Sequence, residues 1–155
     1  MISVTRIVCF LLFFGSCLDS KAQANDSLDV VKATEKFLHA FNNLEWETFR
    51  NAFATDATIF YPTWEEAKRR SGKKEIEETW LKLFPEFTDP ANTFKLSITP
   101  KDLFIQRYEH TAIATFHLGE GPNSVYRRTI VFIKEKENWK IVHLHASKSI
   151  KENDE

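Results

Sequence analysis

The spacing of apolar residues changes once along this chain, near residue 93. Between residues 25 and 84, apart from a short predicted strand over 58–61, apolar side chains recur every three or four positions, the period of amphipathic helices. After Thr93 they alternate with polar residues, the period of half-buried strands. The predicted strands begin at Phe94 and continue over 111–118, 125–134 and 139–147.

Three helices are predicted before this change of period. The first runs from Ser27 to about Asn43, the second over 45–54 and the third over 74–84. The first helix has an apolar stripe of Leu28, Val31, Phe37, Leu38 and Phe41. Helices followed by a run of antiparallel strands predict a single α+β domain, with one curved sheet wrapped around the helices.

The first 24 residues have the features of a secretory signal peptide. A basic start is followed by an unbroken apolar run, Ile7–Phe14, that is too short to span a bilayer. Ala22-Gln23-Ala24 then matches an A-x-A cleavage site. We therefore expect a secreted or periplasmic protein, with a signal peptide over 1–24, a domain over 25–148 and a charged tail over 149–155.

The cysteines offer a second, less favoured interpretation of this segment. Phe14-Gly15-Ser16-Cys17 loosely resembles the site at which bacterial lipoproteins are cut and acylated on cysteine. Both cysteines, Cys9 and Cys17, precede the predicted cleavage point. A chain cleaved after Ala24 would have no thiol for a disulfide, for nucleophilic catalysis or for metal ligation.

Composition excludes several classes of partner. The 21 basic and 22 acidic residues are nearly balanced, which predicts no binding to nucleic acid and no membrane association beyond the signal peptide. The content of 43% hydrophobic residues, with 14 Phe, is typical of a globular protein with an aromatic core.

Three stretches of the sequence together resemble SnoaL-like domains of the nuclear transport factor 2-like superfamily. They are W-K-I-V-H-L-H-A-S at 139–147, F-A-T-D-A-T-I-F-Y-P at 53–62 and G-K-K-E-I at 72–76. The ending is also similar to the association domain of calcium/calmodulin-dependent kinase, which uses this fold for oligomerisation. The resemblance implies a cone-shaped half-barrel with a pocket at its wide end and a homodimer formed through the sheet. The superfamily includes isomerases, cyclases and dehydratases as well as proteins without catalysis, so fold alone does not decide function.

His143 and His145 are two residues apart on a predicted strand, so their imidazoles should share a face. They could form an acid/base pair, or ligate a metal with His117 as a third ligand. The alternative that we favour is a structural role at the dimer face or the pocket rim. The sequence predicts no metal and no cofactor.

One of two adjacent arginines should face the pocket, because side chains alternate along a strand. If a four-residue loop pairs Lys134 with Trp139, Arg128 stands opposite His145; a three-residue loop shifts this register. The sequence leaves open whether Arg127 or Arg128 faces inward. Either guanidinium could bind a carboxylate through two parallel hydrogen bonds.

Tyr61 and Trp64 flank the end of the first strand, where the resemblance implies the pocket mouth. Asp56 lies at a helix-to-strand turn and is expected to cap the backbone. The central strands contain no Asp or Glu over 113–117 or 129–133, which argues against an isomerase mechanism with a carboxylate base.

The function predicted first is binding of a small, largely apolar molecule in the pocket without catalysis. The ligand-binding candidates are Tyr61, Trp64, Phe116, Arg128 and His145. One alternative is an isomerase, cyclase or hydrolase, with His145, His143 or Tyr61 as the best catalytic candidates. The other is a dimerisation or assembly module.

Overall fold

The computed structural model describes residues 16–63, 66–121 and 124–150, with side chains described from Ser27 onward except for those of 119–121. Within these ranges there are three α-helices, α1 (Ser16–Asn42), α2 (Trp46–Arg50) and α3 (Lys73–Leu83), and a short 3-10 helix, Pro85–Phe87. The strands are β1 (Phe53–Phe60), β2 (Arg70–Ser71), β3 (Pro100–Tyr108), β4 (Thr111–Gly121), β5 (Ser124–Glu135) and β6 (Asn138–Ile150).

The strands form one curved, unclosed sheet in the order β2-β1-β6-β5-β4-β3. Strands β3 to β6 make an antiparallel meander, and β1 joins β6 in parallel. The helices cover the concave face: α1 packs against β3, β4 and β6, and α3 packs against β1. The predicted α+β cone fold is confirmed.

The buried face of α1 differs from the predicted stripe. Leu28 is 57% exposed, whereas Val30 and Thr34 are fully buried. Burial of Thr34 is compatible with a helix because its hydroxyl donates to the Val30 carbonyl 2.9 Å away. The helix therefore turns a face centred on Val30, Phe37 and Phe41 toward the core.

The second helix is shorter than predicted, and the first strand begins earlier. The helix ends at Arg50, and the Ile141 amide donates to the Ala52 carbonyl at 2.8 Å. Pairing of Phe53 with Ile141 then starts β1 at a position that helical spacing had assigned to the second helix. Tertiary pairing thus overrides a local preference for helix.

The core is dominated by aromatic rings from the helices and from the start of β1. Phe49 is fully buried at its centre, and its ring centroid lies 5.1 Å from that of Phe37, 5.1 Å from Trp80 and 4.9 Å from Phe87. Such offset and edge-to-face arrangements add to the free energy gained from burial. This cluster joins the three helices and the short 3-10 helix in one core.

Residues 1–15 of the predicted signal peptide lie outside the described residues, and α1 includes the predicted cleavage point after Ala24. Strand β6 continues to Ile150, so the predicted tail begins within a strand, and residues 151–155 are not described. None of the helices in the described part of the chain is both long and apolar enough to cross a membrane.

Candidate functional site

A cavity of about 260 Å³ lies between the helices and the concave face of the sheet. Helices α1 and α3 contribute aromatic and leucine side chains, including Phe41 and Trp80. The segment before β3 contributes Leu96 and Ile98. The sheet contributes Ile59, Phe116, Leu118, Ile130, Leu144 and Ala146. A largely preformed apolar cavity of this kind is typical of small-molecule sites.

Few polar side chains interrupt this lining. Among the described residues that line the cavity they belong to Tyr61, Thr63, Trp80 and Arg128, and none is an Asp, Glu, His or Lys. The cavity therefore has hydrogen-bond donors but no carboxylate or imidazole with which to accept a proton from a ligand.

The Tyr61 side chain forms part of the cavity lining. Its side chain is nearly fully buried, and its hydroxyl donates to the Ile76 carbonyl on α3 at 3.3 Å. Its ring meets Trp80 edge to face, with centroids 5.2 Å apart. Burial, followed by the nearby Glu66 carboxylate, raises the pKa of Tyr61 far above its ordinary value. The phenol therefore stays protonated near neutral pH and is suited to positioning rather than to general base catalysis.

Arg128 is the cavity-facing member of the arginine pair. It stands opposite Phe116 of β4 and opposite Ala146 of β6, and both of these neighbours line the cavity. Its Nη1 donates to the Arg127 carbonyl at 2.9 Å, and burial lowers its pKa to about 10. Arg127 is exposed on the opposite face of the sheet.

The register of β5 and β6, which the sequence left open, does not pair Arg128 with His145. Lys134 does pair with Trp139, across a two-residue turn at 136–137 that is tighter than either predicted loop. The pairing then shifts at Val142, which is accommodated as a β-bulge between Ile141 and His143. One extra residue reverses the alternation, so His145 stands opposite Thr129 instead of Arg128.

Both histidines therefore lie on the outer, convex face of the sheet and are absent from the cavity lining. His143 is half-buried, and its Nδ1 lies 2.7 Å from the Thr58 hydroxyl. Burial, and then the neighbouring His145 and Arg69, lowers the pKa of His143. His145 is exposed, with its ring centroid 5.5 Å from that of Phe60. Neither imidazole can reach a molecule in the cavity from this face.

Of the other residues predicted for the site, some line the cavity and others do not. Phe116 lines the cavity with Tyr61 and Arg128, whereas Trp64 lies outside the described residues. Asp56 is exposed within β1, so the helix-to-strand turn predicted at this position, where Asp56 was expected to cap the backbone, is wrong. Within residues 16–63, 66–121 and 124–150, no three His, Cys, Asp or Glu side chains come together in a way that could hold a metal ion.

A buried carboxylate beside the cavity was missed by sequence reasoning. The Glu66 side chain is 3% exposed and accepts hydrogen bonds from Arg70 and, at 2.7 Å, from Lys82 on α3. These two cations, Lys82 first, hold the pKa of Glu66 below its ordinary value. The Glu66–Arg70 spacing of four residues is present in the sequence, but a loop gives no reason to expect the contact with Lys82. Glu66 fixes the loop that follows Tyr61 against α3.

The chain belongs to the SnoaL-like domain family, whose model matches residues 30–151. None of the curated proteins matches the chain at a significant level.

Solved structures show the same fold at low sequence identity. A dehydratase candidate of the NTF2-like family from Streptomyces avermitilis superposes with a TM-score of 0.66 at 20% identity, covering 81% of this chain and 96% of that one. An NTF2-like protein of unknown function from Pseudomonas putida superposes with a TM-score of 0.66 at 15% identity, covering 80% of this chain and 87% of that one. The association domain of CaMKII from C. elegans superposes with a TM-score of 0.60 at 21% identity, covering 83% of this chain and 98% of that one.

Proposed function

We propose that this protein binds a small, largely apolar molecule in the cone cavity without changing it chemically. The observation that carries the proposal is the cavity lining, which is apolar apart from four polar side chains and contains no Asp, Glu, His or Lys among the described residues. Ligands of this kind gain about 0.8 kcal/mol for each methylene group removed from water.

The size of the cavity supports a ligand with one or two rings or a short chain. An apolar protein cavity of about 150 Å³ is known to hold benzene. The cavity here is larger, at about 260 Å³, and its aromatic walls suit a planar ligand.

The arrangement favours binding over the alternative of an isomerase, cyclase or hydrolase. A general base must come within about 3 Å of the proton that it removes, directly or through one water molecule. His143 and His145 face away from the cavity, and the Tyr61 phenol is bonded to a backbone carbonyl. Asp102 and Glu109, on or beside β3, are exposed and are not among the residues that line the cavity.

The test uses an uncharged apolar fluorophore, N-phenyl-1-naphthylamine, and two variants on the same strand. Ala146→Phe adds a ring inside the cavity, and His145→Phe adds the same ring on the outer face. We expect the wild type and His145→Phe to enhance the fluorescence to a similar extent, and Ala146→Phe to lose most of the enhancement. Equal binding by all three proteins, or no binding by the wild type, would refute the proposal.

A homodimer formed through the outer face of the sheet is our second proposal. This face exposes Phe104, Tyr108 and Ile133 by 59%, 57% and 37%. Ile113, Val131 and His143 lie side by side across its centre. Exposed apolar area of this kind is unusual on a monomer and is typical of an interface. A structural relative, the CaMKII protein, is named as an association domain, which supports the proposal.

Trp139 and Ile141 are buried on the inner face of the sheet, so the apolar part of the outer face comes from residues such as Val131 and Ile133. We expect sedimentation velocity to give a dimer at micromolar concentration and Val131→Lys to give a monomer. Ala91→Lys adds the same charge at an exposed turn and should leave the dimer intact. A wild-type monomer at that concentration would overturn the proposal.

A further inference from the structure

Arg128 introduces a positive charge into the wall of an otherwise apolar cavity. No carboxylate of the described residues forms an ion pair with it, and its one hydrogen bond there runs from Nη1 to the Arg127 carbonyl. A guanidinium has five N–H donors, so most of its donor capacity is available. Arg128 is half-buried, and a charge partly withdrawn from water without a counter-ion is costly, so proteins ordinarily pair it.

Two other polar groups of the cavity lining have unused hydrogen-bonding capacity. The indole Nε1 of Trp80 and the hydroxyl of Thr63 are buried and have no hydrogen-bond partner among the described residues. Indole and guanidinium groups only donate, and a hydroxyl can donate as well. The polar part of the lining is therefore matched to a ligand that accepts hydrogen bonds.

The charge of the lining further restricts the class of ligand that can bind. Arg128 is the single Lys or Arg among the described residues of the lining, and it remains protonated at neutral pH because its pKa of about 10 is well above 7. A ligand with one negative charge neutralises it, whereas a cationic ligand is repelled and a neutral one leaves it unpaired. A carboxylate also matches the planar fork of a guanidinium through two parallel hydrogen bonds.

We propose that the natural ligand is a monocarboxylate with a compact apolar body, and that Arg128 selects its carboxylate group. This inference rests on the proposed function, because it assigns the polar end of the molecule whose apolar end fills the cavity. The carboxylate lies against Arg128 between the Phe116 and Ala146 positions, and the apolar body extends toward the apolar side chains of α1, including Phe41.

The test compares two ligands of the same shape and different charge, 4-phenylbutanoate and 4-phenylbutanamide, by calorimetric titration. We expect the wild type to bind the acid at least tenfold more tightly than the amide. Arg128→Met should lose the preference and bind the acid and the amide with similar affinity. Arg127→Met removes the neighbouring charge on the opposite face and should retain the preference.

Thermal unfolding of each variant controls for folding, and Arg128→Lys keeps a positive charge without the planar fork. Arg128→Lys should retain a reduced preference for the acid. Equal affinities for acid and amide in the wild type would overturn the carboxylate assignment while leaving apolar binding intact. Binding of neither compound, nor of longer and shorter members of the same acid and amide series, would overturn the proposed function together with this inference.

Discussion

The side-chain amide of Asn42 holds the backbone of Ile98 by two hydrogen bonds of 2.8 Å each. Asn42 Nδ2 donates to the Ile98 carbonyl, and the Ile98 amide donates to Asn42 Oδ1. The Asn42 carbonyl also accepts from the Leu96 amide at 2.9 Å. The end of α1 thereby fixes the irregular segment before β3, from which Leu96 and Ile98 line the cavity.

Asn42→Ala should lower the free energy of unfolding by about 1–3 kcal/mol, because it removes both side-chain hydrogen bonds and leaves the Ile98 groups without partners. Asn42→Asp keeps the acceptor but sets a carboxylate oxygen against the Ile98 carbonyl, so it should destabilise at least as much. Denaturant unfolding measures both variants. If Asn42→Asp were as stable as the wild type, the two hydrogen bonds between Asn42 and Ile98 would not be what holds the segment before β3.

The stability of the protein should fall in acid partly through Glu66. The pKa of Glu66 is lower in the folded protein than its ordinary value of about 4.5, because Lys82 and Arg70 stabilise the carboxylate. Its contribution is therefore fully present above pH 4.5 and is lost as the pH falls through the lowered pKa. Glu66→Gln should be less stable than the wild type at pH 7, and the difference should shrink below about pH 4.5.

Glu78→Gln is the matched control for this experiment. Glu78 is 67% exposed and approaches its partner Lys74 only to 3.9 Å. Unfolding measured from pH 3 to pH 7 should give parallel curves for this variant and the wild type. A Glu66→Gln curve that also runs parallel to the wild type would exclude a titrating role for Glu66.

His143 should contribute more to stability than His145, because His143 is half-buried and contacts Thr58 whereas His145 is exposed. His143→Ala removes the contact with Thr58 and should cost about 1 kcal/mol. His145→Ala alters an exposed side chain and should cost less. Thermal unfolding of the two variants decides the order, and a larger loss for His145→Ala would contradict the assignment.

The stability that His143 contributes through its contact with Thr58 should also depend on pH. Because burial lowers the pKa of His143 in the folded protein, the wild type should lose stability as the pH falls from about 6.5, the ordinary histidine pKa, through that lowered value. His143→Ala should lose less stability over the same interval. Identical slopes for the two proteins would show that His143 does not titrate in this way.

We propose that the protein is exported and begins at Asn25 after cleavage. The basis is the apolar run Ile7–Phe14 and the A-x-A site that ends at Ala24. Intact mass of the protein expressed with its full sequence should equal that of residues 25–155. A retained N-terminus, or a diacylglyceryl mass on Cys17, would contradict this.

The alternation of apolar residues was sufficient to predict the meander, because the period of two persists along β4 and β5. It was not sufficient for β6. Trp139 and Ile141 face the core, and unbroken alternation would have put His143 and His145 on that face too. The bulge at Val142 reverses the pattern, and no single residue in W-K-I-V-H-L-H marks it.

The sequence predicted the part of the cavity lining that lies at the end of a strand, as for Tyr61 after β1. It was less informative where the lining depends on contacts between residues far apart in the sequence. Leu96 and Ile98 alternate like strand residues, yet Asn42 holds them outside a strand. The contact of Glu66 with Lys82 joins a loop to a helix 16 residues later. Such contacts arise from the assembled fold, so the local sequence does not encode a visible signal for them.

Binding inside the cone is the central claim, and two adjacent residues of β5 test it most directly. Ile130 lines the cavity, whereas Val131 faces outward beside His143. With methyl-labelled protein and the uncharged ligand 2-naphthol, nuclear Overhauser effects should connect the ligand to the methyl groups of Ile130 and Leu144 and should be absent at Val131. Effects at Val131 without effects at Ile130 and Leu144, or no binding at all, would contradict the account.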